Sequence, residues 1–419
     1  MDRREFLKRG LATGATLTMA GSCAVPDAPG TRSAALDASA ANRRLADHRI
    51  TAIESRTLTY RFPRSVGPSS QGNPVGRDGN SYIRMITTDQ GITGWCLGGG
   101  QQLDTQEFIG SKVGDLFDVS RGIADDVPGA LDKTLHDLAA RINGVPVWKM
   151  TGAHGPRAVS LYSAAIYMDD VLPEDRPRGI SAVLAACAQD YAAGYRAFKL
   201  KIGRGHKWMP REAGLQRDIA VTHAVHEVFP DCRILVDANS AYTVGEASKY
   251  VAATVDCDLY WIEEAFVENL DDYRRLKEAM DRAGSKALIA EGESSHGQSA
   301  GKPGRFGAYP TTFMERLFRL AEERLVDVFL MDLDSVGFTR WRKVMPEIIQ
   351  AGVTASPHTW VWPMRAFQAA QLAGGVGGID IVEGIPAVTE GVDSSAYSMR
   401  DGKLILPDAP GFGLELRAG

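Results

Sequence analysis

Two lysines two residues apart interrupt an apolar run in AFKLKIGRG, residues 197–205. Side chains alternate along a strand, so Lys199 and Lys201 project from one face together with Ala197. Side by side in a half-buried place, two ammonium groups raise the free energy of the charged form. Two readings are open. Either both reach solvent and do no chemistry, or one amine has its pKa lowered by the other and acts as a base near neutral pH. What the rest of the chain places beside them decides.

Three further apolar runs, RILVDAN, LYWIEEA and ALIAEGE, end in carboxylates: Asp237, Glu263 and Glu293. Brought within a few ångströms, three such groups repel strongly. A hard divalent cation resolves the repulsion, and an all-oxygen ligand set selects Mg²⁺ over zinc or copper. Glu264 and Glu291 compete for the same role, and by alternation Glu291 and Glu293 share a face. The runs VDVFLMD, GVTASPH and IDIVEG end at Asp332, His358 and Glu383.

Positioning these residues takes a particular architecture. From Ala158 onward, eight short apolar runs alternate with helical stretches such as EAGLQRDIAVTHAVHEVF, where Val221, Val225 and Val228 form one stripe. That pattern implies a parallel sheet covered by helices, and eight units is the number that closes a barrel. The polar residues ending the runs, Lys201, Asp237, Glu263, Glu293, Asp332, His358 and Glu383, recur at intervals of 25 to 39 residues. A barrel of ~250 residues gives ~31 per unit. All seven therefore fall at strand C-termini and converge on one mouth.

Upstream, ITAIESRTLTY and SYIRMITTD alternate, and DQGITGW turns into a third strand, which predicts an antiparallel sheet. Residues 61–80, rich in Gly, Pro and Ser, read as a long loop of the kind kept for lids. Phe108 to Met150 reads as largely helical, with Leu131, Leu135 and Leu138 in one stripe ended by Gly144. The predicted class is α/β, a modified TIM-type (β/α) barrel carrying an N-terminal α+β capping domain. Its divisions are a signal and tether over 1–47, cap over 48–157, barrel over 158–384, and a C-terminal segment over 385–419 returning to the cap.

The first residues, MDRREFLKRG followed by LATGATLTMAGSC, have a basic start, a weakly apolar centre and small residues before Cys23. Arg3-Arg4 with Phe6 and Leu7 resembles a twin-arginine export signal, which implies a periplasmic protein exported already folded. Ala20 to Cys23 is an imperfect lipobox, so lipid anchoring at Cys23 and ordinary cleavage nearby are both open. Cys96, Cys187, Cys232 and Cys257 show no paired spacing and read as buried small hydrophobes. A net charge of -5 without a basic run excludes nucleic acid as an expected partner, and no apolar run past the leader suits a membrane span. His136, His154, His223 and His226 read as structural, whereas His206 and His296 lie close enough to run ends to touch a substrate.

Together, KLK at 199–201, DAN at 237–239, WIEE at 261–264, GE at 292–293, the strand ending at Asp332 and SPH ending at His358 resemble the enolase superfamily, in its mandelate racemase-like subgroup. GITGW and LHDLAARINGVPVWKMTG resemble that family's cap. The resemblance implies one catalytic Mg²⁺ on Asp237, Glu263 and Glu293, with Asn239 nearby, and abstraction of a proton next to a carboxylate with stabilisation of an enediolate. It implies Lys201 as one acid/base with Lys199 as neighbouring cation, and His358 as the other, oriented by Asp332. Glu383 stands where the family places a group hydrogen-bonded to the substrate carboxylate. The loop LDSVGFTRW departs from the family's usual Gly-Gly pattern, which leaves Asp334 as a competing partner for His358.

Dehydration of a sugar acid is the commonest activity the resemblance implies. Racemisation or epimerisation of a 2-hydroxy acid by the same two bases is the alternative. A non-catalytic exported binding protein is a third reading, and it predicts a lost ligand or base where none is missing. The subgroup also implies a homo-oligomer.

Overall fold

A computed structural model describes residues 36–98, 103–293 and 311–417. The export signal, Cys23 and His296 lie outside the described residues.

In the cap, β1 (Ile50–Val66), β2 (Gly76–Thr88) and β3 (Thr93–Leu97) form an antiparallel sheet. Helix α1 (Asp132–Ile142) packs on it, with Leu131, Leu135 and Leu138 wholly buried. Two expectations are corrected here. Pairing of β1 with β2 continues through Arg61 opposite Asp78 and resumes at Val66 opposite Gly76, so the predicted loop of 61–80 shrinks to 67–75. The register shift between these pairs breaks the alternation that would have revealed strand, and an exposed Arg61–Asp78 ion pair replaces apolar contact. Likewise the stretch from Phe108 to Met150 is helical only in part, with α-helix at Val113–Leu116, Asp132–Ile142 and Val147–Met150. Before α1 it holds a short hairpin of Phe117–Asp118 against Gly122–Ile123, whose glycine has φ 87°.

Eight parallel strands follow: β4 (Ala158–Ile166), β5 (Ala197–Lys201), β6 (Arg233–Asp237), β7 (Trp261–Glu263), β8 (Leu288–Glu291), β9 (Val328–Phe329), β10 (Thr354–Ala355) and β11 (Ile381–Gly384). They pair in chain order from β4 to β10, and β11 pairs back onto β4. A parallel bridge from Ala355 to Ile379 closes the ring. Beyond β11 the chain returns to the cap, where β12 (Val388–Thr389) pairs with Tyr60 and Arg61 of β1.

The period of two sorts the strand side chains. Phe198, Leu200, Ile234, Val236, Ile262, Ile289 and Val382 point outward into the large core shared with the helices. Tyr162, Ala197, Leu235, Trp261, Ala290, Val328 and Ile381 form a separate inner cluster that plugs the barrel. Two residues onward from the inner layer on β5, β6, β7 and β11 stand Lys199, Asp237, Glu263 and Glu383. The apolar plug is thus the floor on which the charged residues stand.

Candidate active site

The carboxylates of Asp237, Glu263 and Glu293 each offer an oxygen within 4.8 Å of the others. Asp237 and Glu263 close their strands and are buried, whereas Glu293 lies two residues past β8. Gly292, at φ 114°, breaks the alternation of β8. Glu293 therefore turns into the mouth while Glu291 is left accepting from the Tyr273 hydroxyl of the covering helix Leu270–Ala283. The competition between the two glutamates is resolved by one glycine. Glu264 adopts φ 41° and likewise stands outside the cluster.

Cations interleave with these carboxylates. Lys201 Nζ donates to Asp237 Oδ2 at 2.5 Å and to Asn239 Oδ1 at 3.0 Å. Lys199 Nζ lies 2.8 Å from Glu263 and 3.0 Å from Glu383. His358 Nε2 lies 3.2 Å from Glu293 and 3.8 Å from Glu383, while its Nδ1 faces Asp332 Oδ2 at 3.4 Å.

Asp332 is fixed from several sides. Its Oδ1 caps the turn Leu333–Val336 by accepting from the amides of Asp334 and Ser335, and its Oδ2 also accepts from Arg365. Asp334, the competing candidate, is bound instead by Arg365 and by Lys133 of α1. His358 is therefore partnered by Asp332.

The electrostatics correct the expected direction for Lys201. Burial alone would lower its pKa, and Lys199 acts the same way, but Asp237, Tyr167 and Glu293 together outweigh both and hold the ammonium above its ordinary value. His358 behaves alike: burial pushes it down, and Glu293, Glu383 and Asp332 hold it up to about 9. Burial raises Glu383, yet Lys199, His358 and the Thr359 amide bring it down to about 2. An ionised Glu383 accepts hydrogen bonds, so donating one to a substrate carboxylate requires that it first gain a proton. Burial raises Asp237 too, but Lys201 and Lys199 outweigh it and bring this carboxyl to about 2. In this arrangement the lysines and His358 are spent neutralising carboxylates. A divalent cation sharing those oxygens would relieve that duty and lower the pKa values of Lys201 and His358.

The site fits such a cation. Its donor set is all oxygen, its members are clustered and two of them buried, and the counter-charges surrounding them show a demand for positive charge.

Sequence reasoning missed the aromatic and cationic surround. Tyr167, its ring stacked on Trp360 with centroids 4.9 Å apart, lies 5.3 Å from Lys201 Nζ. Tyr162 stands 5.4 Å from Lys199 Nζ, and its inward place was readable from the alternation of β4. Trp360 and Arg365 carry no such signal, since they follow His358 in irregular chain and on a helix. Ser70 and Gln71 of the 67–75 loop donate to the carbonyls of Ala238 and Asn239, seating the cap on the mouth. His206 closes the short turn Arg204–His206 just beyond β5. His136 is buried in the core between Phe117 and Phe338, outside the mouth. A separate apolar cavity of about 710 Å³, lined by Phe62, Leu161, Tyr195 and Phe367 among others, contains none of the mouth's acid/base or metal-binding candidates.

A closed parallel barrel with an all-oxygen metal cluster, a lysine pair and a His–Asp pair at its mouth defines a metal-assisted acid–base enzyme. Residues 182–301 and 311–419 match the family described as Enolase C-terminal domain-like, and the chain belongs to that family. It is similar to the galacturonate dehydratase of Geobacillus sp., solved with D-galacturonate and 5-keto-4-deoxy-D-galacturonate. That match is 30% identical with a TM-score of 0.79 and spans 88% of this chain and 95% of the other. A mandelate racemase/muconate lactonizing protein from Geobacillus sp. Y412MC10, complexed with magnesium/tartrate, matches with the same identity and TM-score over 88% and 93% of the chains. The D-galactarolactone cycloisomerase of Agrobacterium fabrum is 25% identical over 404 residues, 88% of this chain and 96% of its own. The chain is an enzyme of lyase or isomerase type, and its cofactor is Mg²⁺.

Proposed function

We propose that this enzyme dehydrates a sugar acid, with Asp237, Glu263 and Glu293 holding Mg²⁺ and with Lys201 and His358 handling protons. The observation that carries the reading is the placement of two proton-transfer groups at different members of one carboxylate cluster, Lys201 beside Asp237 and His358 beside Glu293. The dehydratase from Geobacillus supports the substrate class.

When bound, Mg²⁺ supplies positive charge for the dianion that develops as a proton leaves the carbon next to a carboxylate, as is general for enolase-superfamily sites. Lys201 Nζ, freed from Asp237, takes the α-proton. Protonated His358, held by Asp332, gives a proton from Nε2 to the departing β-hydroxyl, so that water leaves and an enol remains to become the 2-keto acid. Asn239 and the Tyr167 ring flank Lys201. The seated 67–75 loop screens the same side from water.

A panel of sugar acids incubated with Mg²⁺ should yield 2-keto-3-deoxy products. Turnover that persists undiminished after chelation of the metal would overturn the reading.

A racemase or epimerase is the second reading, favoured by the same pairing of Lys201 and His358, because one acid/base on each side of a carbon also serves inversion. Solvent deuterium entering the α-position without loss of water selects it. Export by the twin-arginine route remains part of the proposal. Replacing Arg3 and Arg4 with lysine should retain the protein in the cytoplasm. Sedimentation of the mature chain tests the homo-oligomer.

A further inference from the structure

A second group of metal-ligating side chains lies away from the mouth, on the outer helical layer. Helix Arg211–Val228 carries His223, and the short turn Val255–Cys257 after helix Val244–Ala253 carries Asp256 and Cys257. His223 Nδ1 lies 3.4 Å from Cys257 Sγ and 3.8 Å from Asp256 Oδ2, and Cys257 Sγ lies 4.0 Å from Asp256 Oδ1. One ligand atom from each falls within 4.8 Å of the other two. Bonds of ~2.0–2.3 Å to a tetrahedral ion put neighbouring N, S and O ligands roughly 3.5 Å apart. The observed spacings need only small side-chain adjustments to reach that.

The histidine is already oriented for the task. Its Nε2 lies 2.9 Å from the Ala253 carbonyl, a bond only an N–H can make. That tautomer leaves the Nδ1 lone pair directed at Cys257 and Asp256, the arrangement in which an outer carbonyl fixes a metal-binding imidazole. The Cys257 residue is buried, at 2% exposure, while the Asp256 side chain is 70% exposed. An ion can thus enter from the solvent side and keep a water as fourth ligand.

We propose that His223, Asp256 and Cys257 form a binding site for a borderline divalent ion of the zinc class, joining two barrel helices. The donor set of imidazole, thiolate and carboxylate selects such an ion and disfavours Mg²⁺, so the two sites of the molecule sort metals by ligand chemistry. Binding converts the Cys257 thiol to thiolate and releases its proton to solvent. Thiolate and carboxylate then balance the two charges of the ion.

Co²⁺ is the probe, titrated into the full chain with Mg²⁺ in excess to occupy the carboxylate cluster. A saturable thiolate-to-cobalt charge-transfer band at one equivalent is expected, and Zn²⁺ should abolish it. The band should vanish in Cys257→Ser, and His223→Gln should weaken binding at least ~10-fold, the lower end of what even outer-shell losses cost. His223 is partly exposed, so its variant keeps the proposal testable if the cysteine variant folds poorly. Zn²⁺ should raise the melting temperature of the wild type, raise that of His223→Gln less at the same concentration, and leave that of Cys257→Ser unchanged. Absence of the band in the wild type, or a band that survives in Cys257→Ser, overturns the proposal.

Discussion

Arg365 Nη1 donates to Asp332 Oδ2 at 3.2 Å, the same oxygen that faces Nδ1 of His358. Its Nε and Nη2 grip Asp334, which Lys133 of the cap also binds. Alternating charges therefore run from cap helix α1 to His358. Arg365→Met should cost about 1.5–3 kcal/mol in urea denaturation, the usual worth of hydrogen bonds to charged groups. We also expect kcat to fall about 10- to 100-fold, as for lost outer-shell partners, with KM little changed. An ammonium group cannot make the planar fork of a guanidinium, so Arg365→Lys should restore stability better than turnover.

Mg²⁺ should stabilise the folded protein because its ligands converge only there. At one hundred times Kd the gain is about 2.7 kcal/mol. A melting-temperature series in Mg²⁺ reads it directly. Asp237→Asn and Glu263→Gln should each abolish the response, since each removes an anionic ligand from the cluster.

Arg204 is wholly buried between Asp170 and Asp218 and also donates to the Lys201 carbonyl. Truncating it leaves buried Asp170 with Arg217 and buried Asp218 with the Tyr242 hydroxyl and backbone amides in place of its guanidinium. Arg204→Met should destabilise by about 3–5 kcal/mol, measured by urea midpoint at constant slope. A loss under about 1 kcal/mol, the scale of an exposed pair, would show that the two aspartates take up protons or water without cost.

His136 is wholly buried, with its Nδ1 facing Asp132 and its Nε2 accepting from Arg342. Burial depresses its pKa more than Asp132 raises it. The unfolded chain thus binds a proton near pH ~6.5 that the folded chain refuses. Stability from this group is full above pH ~6.5 and is lost as pH falls from there towards the folded pKa, at up to about 1.4 kcal/mol per unit. Unfolding free energies measured from about pH 7.5 to about pH 5 should decline less steeply in His136→Gln than in the wild type.

The barrel strands were legible because their buried runs have a simple period and end on polar residues; AVSLYSAAI coincides with β4. The site was legible for the same reason, since strand ends converge by geometry alone. Glu291 against Glu293 was not decidable, because alternation fails at a glycine whose φ is set by the tertiary fold. Nor was Asp332 against Asp334, which depends on Arg365 arriving from a helix far along the chain. The 61–80 stretch misled because its polar residues pair through the backbone, which leaves no apolar signature.

The central claim is that Lys201 takes the α-proton of a sugar acid and His358 protonates the hydroxyl that leaves. It is tested most directly by following, in D₂O with Mg²⁺, the product of a substrate found active, using the wild type, Lys201→Ala, His358→Asn and the double variant. The wild type should give a 2-keto-3-deoxy acid carrying one solvent deuterium at C3, and the double variant should give neither product nor exchange. Product or α-exchange at the wild-type rate in the double variant would contradict the account.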